Sequence, residues 1–183
     1  GNLMEMIVYS ILGLEYQIES KATVIHPTIK TWSGSVDMTI RDAEGKVKVV
    51  SEIKCYQKKA FADYVDMMKL KDIEVFKTEY PKEYWQIISN AVLHDADEGE
   101  AVAFMPYESQ YPEIVDLVEN MEGDDLWKYR FVTEKPMKAL PFLPDDGYYD
   151  SVNKFRFRIP LADKMYLTSR ILEASEILNN AEV

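Results

Sequence analysis

The stretch that decides the fold is SVDMTIRDAEGKVKVVSEIKCYQ, residues 35–57. Val36, Met38 and Ile40 alternate with Asp37 and Thr39, which predicts a strand with one apolar face. Ala43-Glu44-Gly45-Lys46 supplies a glycine-containing turn, and Val47 to Lys54 predicts a returning strand. Glu52 and Lys54 lie two apart, so both side chains leave that strand by one face. If Glu44 and Gly45 are the two loop residues of a hairpin, Asp37 falls directly opposite Glu52. A three-residue loop with a bulge would shift that register. Directly opposed side chains have Cβ atoms ~4.5–5.5 Å apart. Two carboxylates at that spacing repel unless something positive lies between them. A divalent cation suits the gap: Mg²⁺ takes oxygen ligands, keeps several waters and typically uses one or two carboxylates. An ammonium at Lys54 would stabilise negative charge developing on a phosphate. Glu and Lys on a strand edge also serve as a simple ion pair that blunts edge pairing, and an Asp followed by Glu-x-Lys is by itself a short pattern.

Outward from this hairpin, the patterns predict a mixed α/β core. Leu3, Ile7, Ile11 and Leu14 have helical spacing that stops near Gly13, and Glu15 to Ile25 alternates loosely as a strand ending at His26-Pro27. Phe61, Tyr64, Val65 and Met68 predict an amphipathic helix. A second follows Pro81, with Trp85, Ile88 and Val92 facing one way and Gln86, Ser89 and Asn90 another. A strand at 101–105, a helix through Ile114, Leu117 and Val118, a strand near 129–133, a strand at 155–159 and a closing helix over 161–180 complete the order. Residues 122–150, with Pro136, Pro141, Pro144 and Asp145-Asp146-Gly147, read as a largely irregular excursion.

Composition narrows the chemistry. The 183 residues are 47% apolar and carry a net charge of −11, which fits one domain with a sizeable core and opposes long-range attraction to phosphate. A local groove can still be basic on an acidic protein, and Lys54, Lys58 and Lys59, then Lys154, Arg156 and Arg158, form modest clusters. Cys55 stands alone, which excludes a disulfide framework and multi-cysteine metal sites. Two histidines, His26 and His94, exclude a histidine-rich metal site. No apolar run reaches the ~20 residues of a membrane span and no signal pattern opens the chain, so a soluble cytoplasmic protein is expected.

The surrounding residues carry a resemblance. GSVDM…SEIKC is similar to the core of the PD-(D/E)XK nucleases, with Asp37, Glu52 and Lys54 in the three signature positions. GNLMEMIVYSILG resembles the Gly-x-x-x-Glu helix of one branch, the lambda-exonuclease-like (YqaJ-type) phage recombination exonucleases. IHP sits where that family has a strand ending before the Asp. EYWQIISNAVL followed by AVAFMPY resembles its Tyr-x-x-Gln helix and the strand after it, and FRFRIPLADKMYLTSRILEASEIL resembles its closing strand and helix. The match runs in order over roughly residues 1–107 and 153–180.

The resemblance implies a restriction-endonuclease-like α/β core, a mixed sheet flanked by helices, over a single domain 1–183 with an insertion at 108–152. It implies Asp37, Glu52 and the main-chain carbonyl of Ile53 as ligands of Mg²⁺ or Mn²⁺, and Lys54 as the catalytic lysine. Glu5 would be an auxiliary acid reaching the metal or its water, and Gln86 would contact the lysine or the substrate. The implied activity is metal-dependent exonuclease action on linear duplex DNA ends. The implied partners are DNA and a single-strand-annealing protein, with a ring-shaped homo-oligomer whose basic residues face the DNA. The family's further segment before the first helix, which contributes DNA-end contacts, is absent or unseen in this sequence. Ser-Val-Asp-Met replaces its Ser-Pro-Asp-Gly, and Tyr56 replaces the Pro after Lys-Cys. Two other readings stand: an endonuclease of the same fold, and a non-catalytic protein-binding domain that kept it. The single cysteine excludes an iron–sulfur relative.

Overall fold

The computed structural model describes residues 2–19 and 22–181. Gly1, the glycine of the Gly-x-x-x-Glu pattern, lies outside them. The chain forms two compact units. One comprises Gly1–Ile11, Ile53–Leu70 and Val102–Asn153, the other Leu12–Glu52, Lys71–Ala101 and Lys154–Val183. No helix among the described residues is long and apolar enough to cross a membrane.

The larger unit holds the hairpin. Strands β1 (Gln17–Ile18), β4 (Met38–Arg41), β5 (Val47–Lys54), β6 (Glu98–Phe104) and β7 (Val152–Arg158) form one mixed sheet in the order β1-β4-β5-β6-β7. The ends of β5 and β6 and the beginning of β7 fall in the other unit. A separate two-stranded pair joins β2 (Val24–Ile25) to β3 (Ser33–Gly34). The expected strand over 15–25 is therefore two short strands in two different sheets.

Met38 pairs with Ser51, Thr39 with Val50 and Ile40 with Val49. This is the register the two-residue hairpin would give, although the pairing stops at Met38 and Ser51 and Asp37 immediately precedes β4. The turn reaches it differently. Asp42 N donates to Lys46 O at 2.9 Å and Gly45 N to Asp42 O at 3.0 Å, so the loop is the three residues Ala43–Gly45. Gly45 has φ 83°, a left-handed conformation that favours glycine. A bulge between Ile40 and Arg41 then leaves Lys48 without an opposite residue. The longer loop shifts the pairing one way and the bulge shifts it back.

Two helices of this unit were built on different signals. Helix α4 (Pro81–Leu93) begins with Pro at its first position, where the missing N–H costs nothing. Helix α3 (Ile73–Glu79), which periodicity did not announce, is started by Asp72, whose carboxylate accepts from Glu74 N and Val75 N. Phe76 of α3 meets Tyr84, Phe155 and Phe157 edge-on or nearly so at 5.6–5.8 Å. Asp163 of α8 (Leu161–Ala181) accepts 2.6 Å hydrogen bonds from Lys77 Nζ and Tyr84 Oη. On the β2–β3 side, Ile29, Trp32 and Leu93 form a buried cluster against which Leu167 and Ile171 of α8 pack. His26 is a turn residue: its Nδ1 accepts from Ile29 N at 3.0 Å and its ring stacks on Trp32 at 4.9 Å.

The smaller unit is mainly helical, with α1 (Asn2–Ile11), α2 (Lys58–Leu70), α5 (Tyr111–Glu119), α6 (Asp124–Tyr129) and α7 (Phe131–Glu134). The strand expected near 129–133 is absent there. Arg130 and Glu134 form an i,i+4 ion pair at 2.7 Å and Thr133 Oγ1 donates to Arg130 O at 2.9 Å, local partners that a helical turn satisfies and a strand would separate. A cavity of about 120 Å³ lies in this unit, between residues following Lys54 and residues 131–142.

Candidate active site

The site is centred on Glu52, near the end of β5. That strand is buried on both faces along most of its length, so its polar residues must find partners inside the protein. Glu52 is only 1% exposed. Gln86 Nε2 donates to its Oε2 at 2.6 Å, and Asn90 Nδ2 donates to its Oε1. Gln86 and Asn90 stand four apart on α4 and therefore share a helix face. Ser89, beside them, accepts from Trp32 Nε1 at 2.9 Å. The polar face of α4 is thus turned inward to receive a carboxylate.

Asp37 is held from its backbone. Glu19 N donates to Asp37 O at 2.9 Å, and Asn90 Nδ2 also donates to Ser35 O at 3.2 Å. One asparagine therefore ties the segment leading into Asp37 to the carboxylate of Glu52. Gly34 makes room for this. A Cβ there would lie 2.8 Å from both Asn90 Oδ1 and Leu93 Cδ1, closer than real Cβ contacts come.

Lys54 ends β5, and strand alternation gives it Glu52's face. Its side chain is half-buried, as is that of Glu5 in the first turn of α1. Glu5, Ile53 and Lys54 belong to the smaller unit and Asp37, Glu52 and Gln86 to the larger. Among the described residues no three His, Cys, Asp or Glu side chains cluster as a metal site. The side chains of Asp37 and Glu52 offer oxygen donors, the kind that a hard cation keeping several waters takes. Gln86 and Asn90 orient the Glu52 carboxylate through these hydrogen bonds.

Sequence reasoning set Asn90 on the polar face of α4 but gave it no role, and it is 2% exposed. The signal was present: two amides at i and i+4 beside a predicted acid-bearing strand. A second buried acid was missed entirely. Glu100, 1% exposed, accepts from Tyr16 Oη at 2.8 Å and Ser51 Oγ at 3.0 Å, and from Arg156 Nε at 2.9 Å. Lys154 Nζ reaches Tyr16 Oη at 3.0 Å. Ser51 precedes Glu52, so this network uses the other face of β5. Burial, then the neighbouring Glu100 carboxylate, pushes the Tyr16 phenol well above its ordinary range. Lys154 and Arg156, read as a basic cluster, are thereby tied into a structural network.

No protein-family model matches the sequence, and no curated protein does. Two solved structures align with the chain. A phage-related exonuclease from Haemophilus somnus 129PT aligns over 98% of this chain and 69% of its own, with a TM-score of 0.50 and 10% identity. An alkaline exonuclease from Laribacter hongkongensis aligns over 96% of this chain and 68% of its own, with a TM-score of 0.43 and 14% identity. At these identities the likeness is one of fold: a mixed sheet flanked by helices, of the kind found in the phage-related exonuclease.

Proposed function

We propose that this protein is a divalent-metal-dependent deoxyribonuclease, an exonuclease that degrades linear double-stranded DNA from its ends. The observation that carries the reading is Glu52: a buried carboxylate fixed by two amides, next to the residue that pairs with Met38 and two residues from Lys54 on one strand. Its occurrence on a fold shared with a phage-related exonuclease supports the same reading.

In this account Asp37, Glu52 and the main-chain carbonyl of Ile53 hold Mg²⁺ or Mn²⁺, with Glu5 as an auxiliary acid. Such an ion, when bound, lowers the pKa of water and polarises a phosphoryl oxygen. The amides of Gln86 and Asn90 keep Glu52 in one rotamer, so no reorganisation is required when substrate arrives. Lys54 places an ammonium where negative charge grows on the scissile phosphate. The same reading assigns the protein to phage or prophage recombination, as a homo-oligomer working with a single-strand-annealing partner.

The test is digestion of end-labelled linear duplex beside a covalently closed circle, with Mg²⁺, Mn²⁺ or chelator, by wild type and Lys54→Ala. Metal-dependent loss of the linear DNA alone, abolished by the substitution, is the expected result. Loss of both DNAs would instead indicate an endonuclease. No change in either would indicate a binding domain.

A further inference from the structure

The smaller unit carries an apolar socket that the proposed chemistry does not use. Met4 of α1, Phe104 at the end of β6, and Phe131, Leu140 and Phe142 form most of its wall. The wall is fixed: Leu143 N donates to Pro106 O at 2.8 Å, and the Tyr111 ring meets Phe142 edge-on at 5.6 Å. Its volume of about 120 Å³ is below the roughly 150 Å³ of an apolar cavity that holds benzene. It therefore suits the tip of an aliphatic side chain and is too small for an aromatic ring.

The rim of this socket is basic on an otherwise acidic chain. Residues 127–138, WKYRFVTEKPMK, carry Lys128, Arg130, Lys135 and Lys138 against the single acid Glu134. Lys135 Nζ lies 5.8 Å from the Phe131 ring centre, which sets an ammonium beside the socket. Phe131 is 41% and Trp127 79% exposed, and exposed rings beside an apolar pocket mark protein contacts. The occupant that such a surface suits is an acidic segment projecting a bulky aliphatic side chain.

Helix α8 closes on such a segment. Ile177 and Leu178 are 68% and 58% exposed. They stand in ILEASEILN, residues 171–179, whose only charges are Glu173 and Glu176. Arg130 is already paired with Glu134 at 2.7 Å and Glu173 with Arg170 at 2.6 Å, so Lys135, Lys138 and Glu176 are the charges a contact would join. We propose that the Ile177–Leu178 tip of one copy of this chain inserts into the 131–142 socket of a second copy, with Glu176 set against Lys135 and Lys138. Tip and socket are different surfaces, so the contact is head-to-tail and each copy gives one tip and receives another. The inference names the contact of the proposed homo-oligomer and rests on that part of the reading alone, not on Asp37, Glu52 or Lys54.

Sedimentation equilibrium over a concentration series tests it. The samples are wild type, a tip variant (Ile177→Asp with Leu178→Asp), a socket variant (Phe131→Asp) and the two variants mixed. All the substituted side chains are exposed, and circular dichroism confirms that each chain is folded. Should Phe131→Asp fail to fold, Lys135→Glu with Lys138→Glu blocks the same rim by charge. Wild type is expected to self-associate, and each variant to weaken association by roughly 30-fold or more, the scale of losing a buried anchor. The equimolar mixture should recover wild-type affinity yet stop at a dimer, since one intact tip meets one intact socket. Association that either variant leaves unweakened overturns this contact and leaves the homo-oligomer standing. A wild type that stays monomeric overturns both and leaves the socket to another partner. A mixture that stays monomeric overturns the head-to-tail contact. Cleavage assays judge the nuclease reading separately.

Discussion

Replacing Asn90 by Leu tests the hydrogen-bonded acid at the heart of this fold. Leu approximates the shape of Asn and removes its donors. Glu52 Oε1 loses a hydrogen bond of the charged kind, worth about 1.5–3 kcal/mol, and Ser35 O loses a neutral one worth about 0.5–1.5 kcal/mol. Because Glu52 is buried, water does not replace the lost donor, and the expected cost is about 2–4 kcal/mol. In a chain of 183 residues this corresponds to a fall in Tm of roughly 5–15 °C. Urea denaturation of wild type, Asn90→Leu, Glu52→Gln and the double variant isolates the pair. A coupling of about 1 kcal/mol or more is expected, since removing the charge removes the reason Asn90 matters. Cleavage by Asn90→Leu, measured below its melting range, should fall by roughly 10–100-fold, as for other outer partners of metal-binding carboxylates. A loss below about 0.5 kcal/mol with no coupling, the scatter of an ordinary surface substitution, would refute the reasoning.

Gly34→Ala should cost about 1–3 kcal/mol, because the new Cβ would lie 2.8 Å from Asn90 and Leu93 and force one of them to move; calorimetry measures it. Tyr16→Phe removes a hydrogen bond to the Glu100 carboxylate and should cost about 1.5–3 kcal/mol in urea denaturation. It should leave cleavage within a few-fold of wild type, since that network occupies the other face of β5. The phenols of Tyr16 and Tyr84 are both raised, first by burial and then by the neighbouring carboxylates of Glu100 and Asp163 respectively. Above pH ~10 the unfolded chain loses protons that the folded protein keeps. Stability conferred by these two groups is therefore complete below pH ~10 and declines as pH rises beyond it. Urea midpoints taken across the alkaline range check the sign.

Much of this was legible because strand alternation is strict. Glu52 and Lys54 could be assigned to one face of β5 from spacing alone, and the pairing of Met38 with Ser51 follows the alternation even though the loop is one residue longer and a bulge restores the register. Helix α4 was equally plain from Pro81 and its apolar spacing. What spacing does not encode is which polar residues are buried. Gln86, Ser89 and Asn90 look like a solvated helix face until a buried acid is set against them. Glu100 was hidden because a buried acid needs partners distant in sequence, here Tyr16, Ser51 and Arg156. Residues 129–133 misled because aromatic and β-branched composition favours strand, while the pairing of Arg130 with Glu134 favours a helical turn. Helix α3 is too short for periodicity to mark, and its one clear signal is the cap at Asp72.

The most direct measurement is titration of Mn²⁺ by isothermal calorimetry into wild type, Asp37→Asn and Lys54→Ala, with circular dichroism confirming that each is folded. Central to the account is that Asp37 and Glu52 together hold one divalent cation and that Lys54 acts on the phosphate. It predicts one site per chain in wild type, its retention in Lys54→Ala and its loss in Asp37→Asn. Undiminished binding in Asp37→Asn, or no binding in wild type, would contradict it.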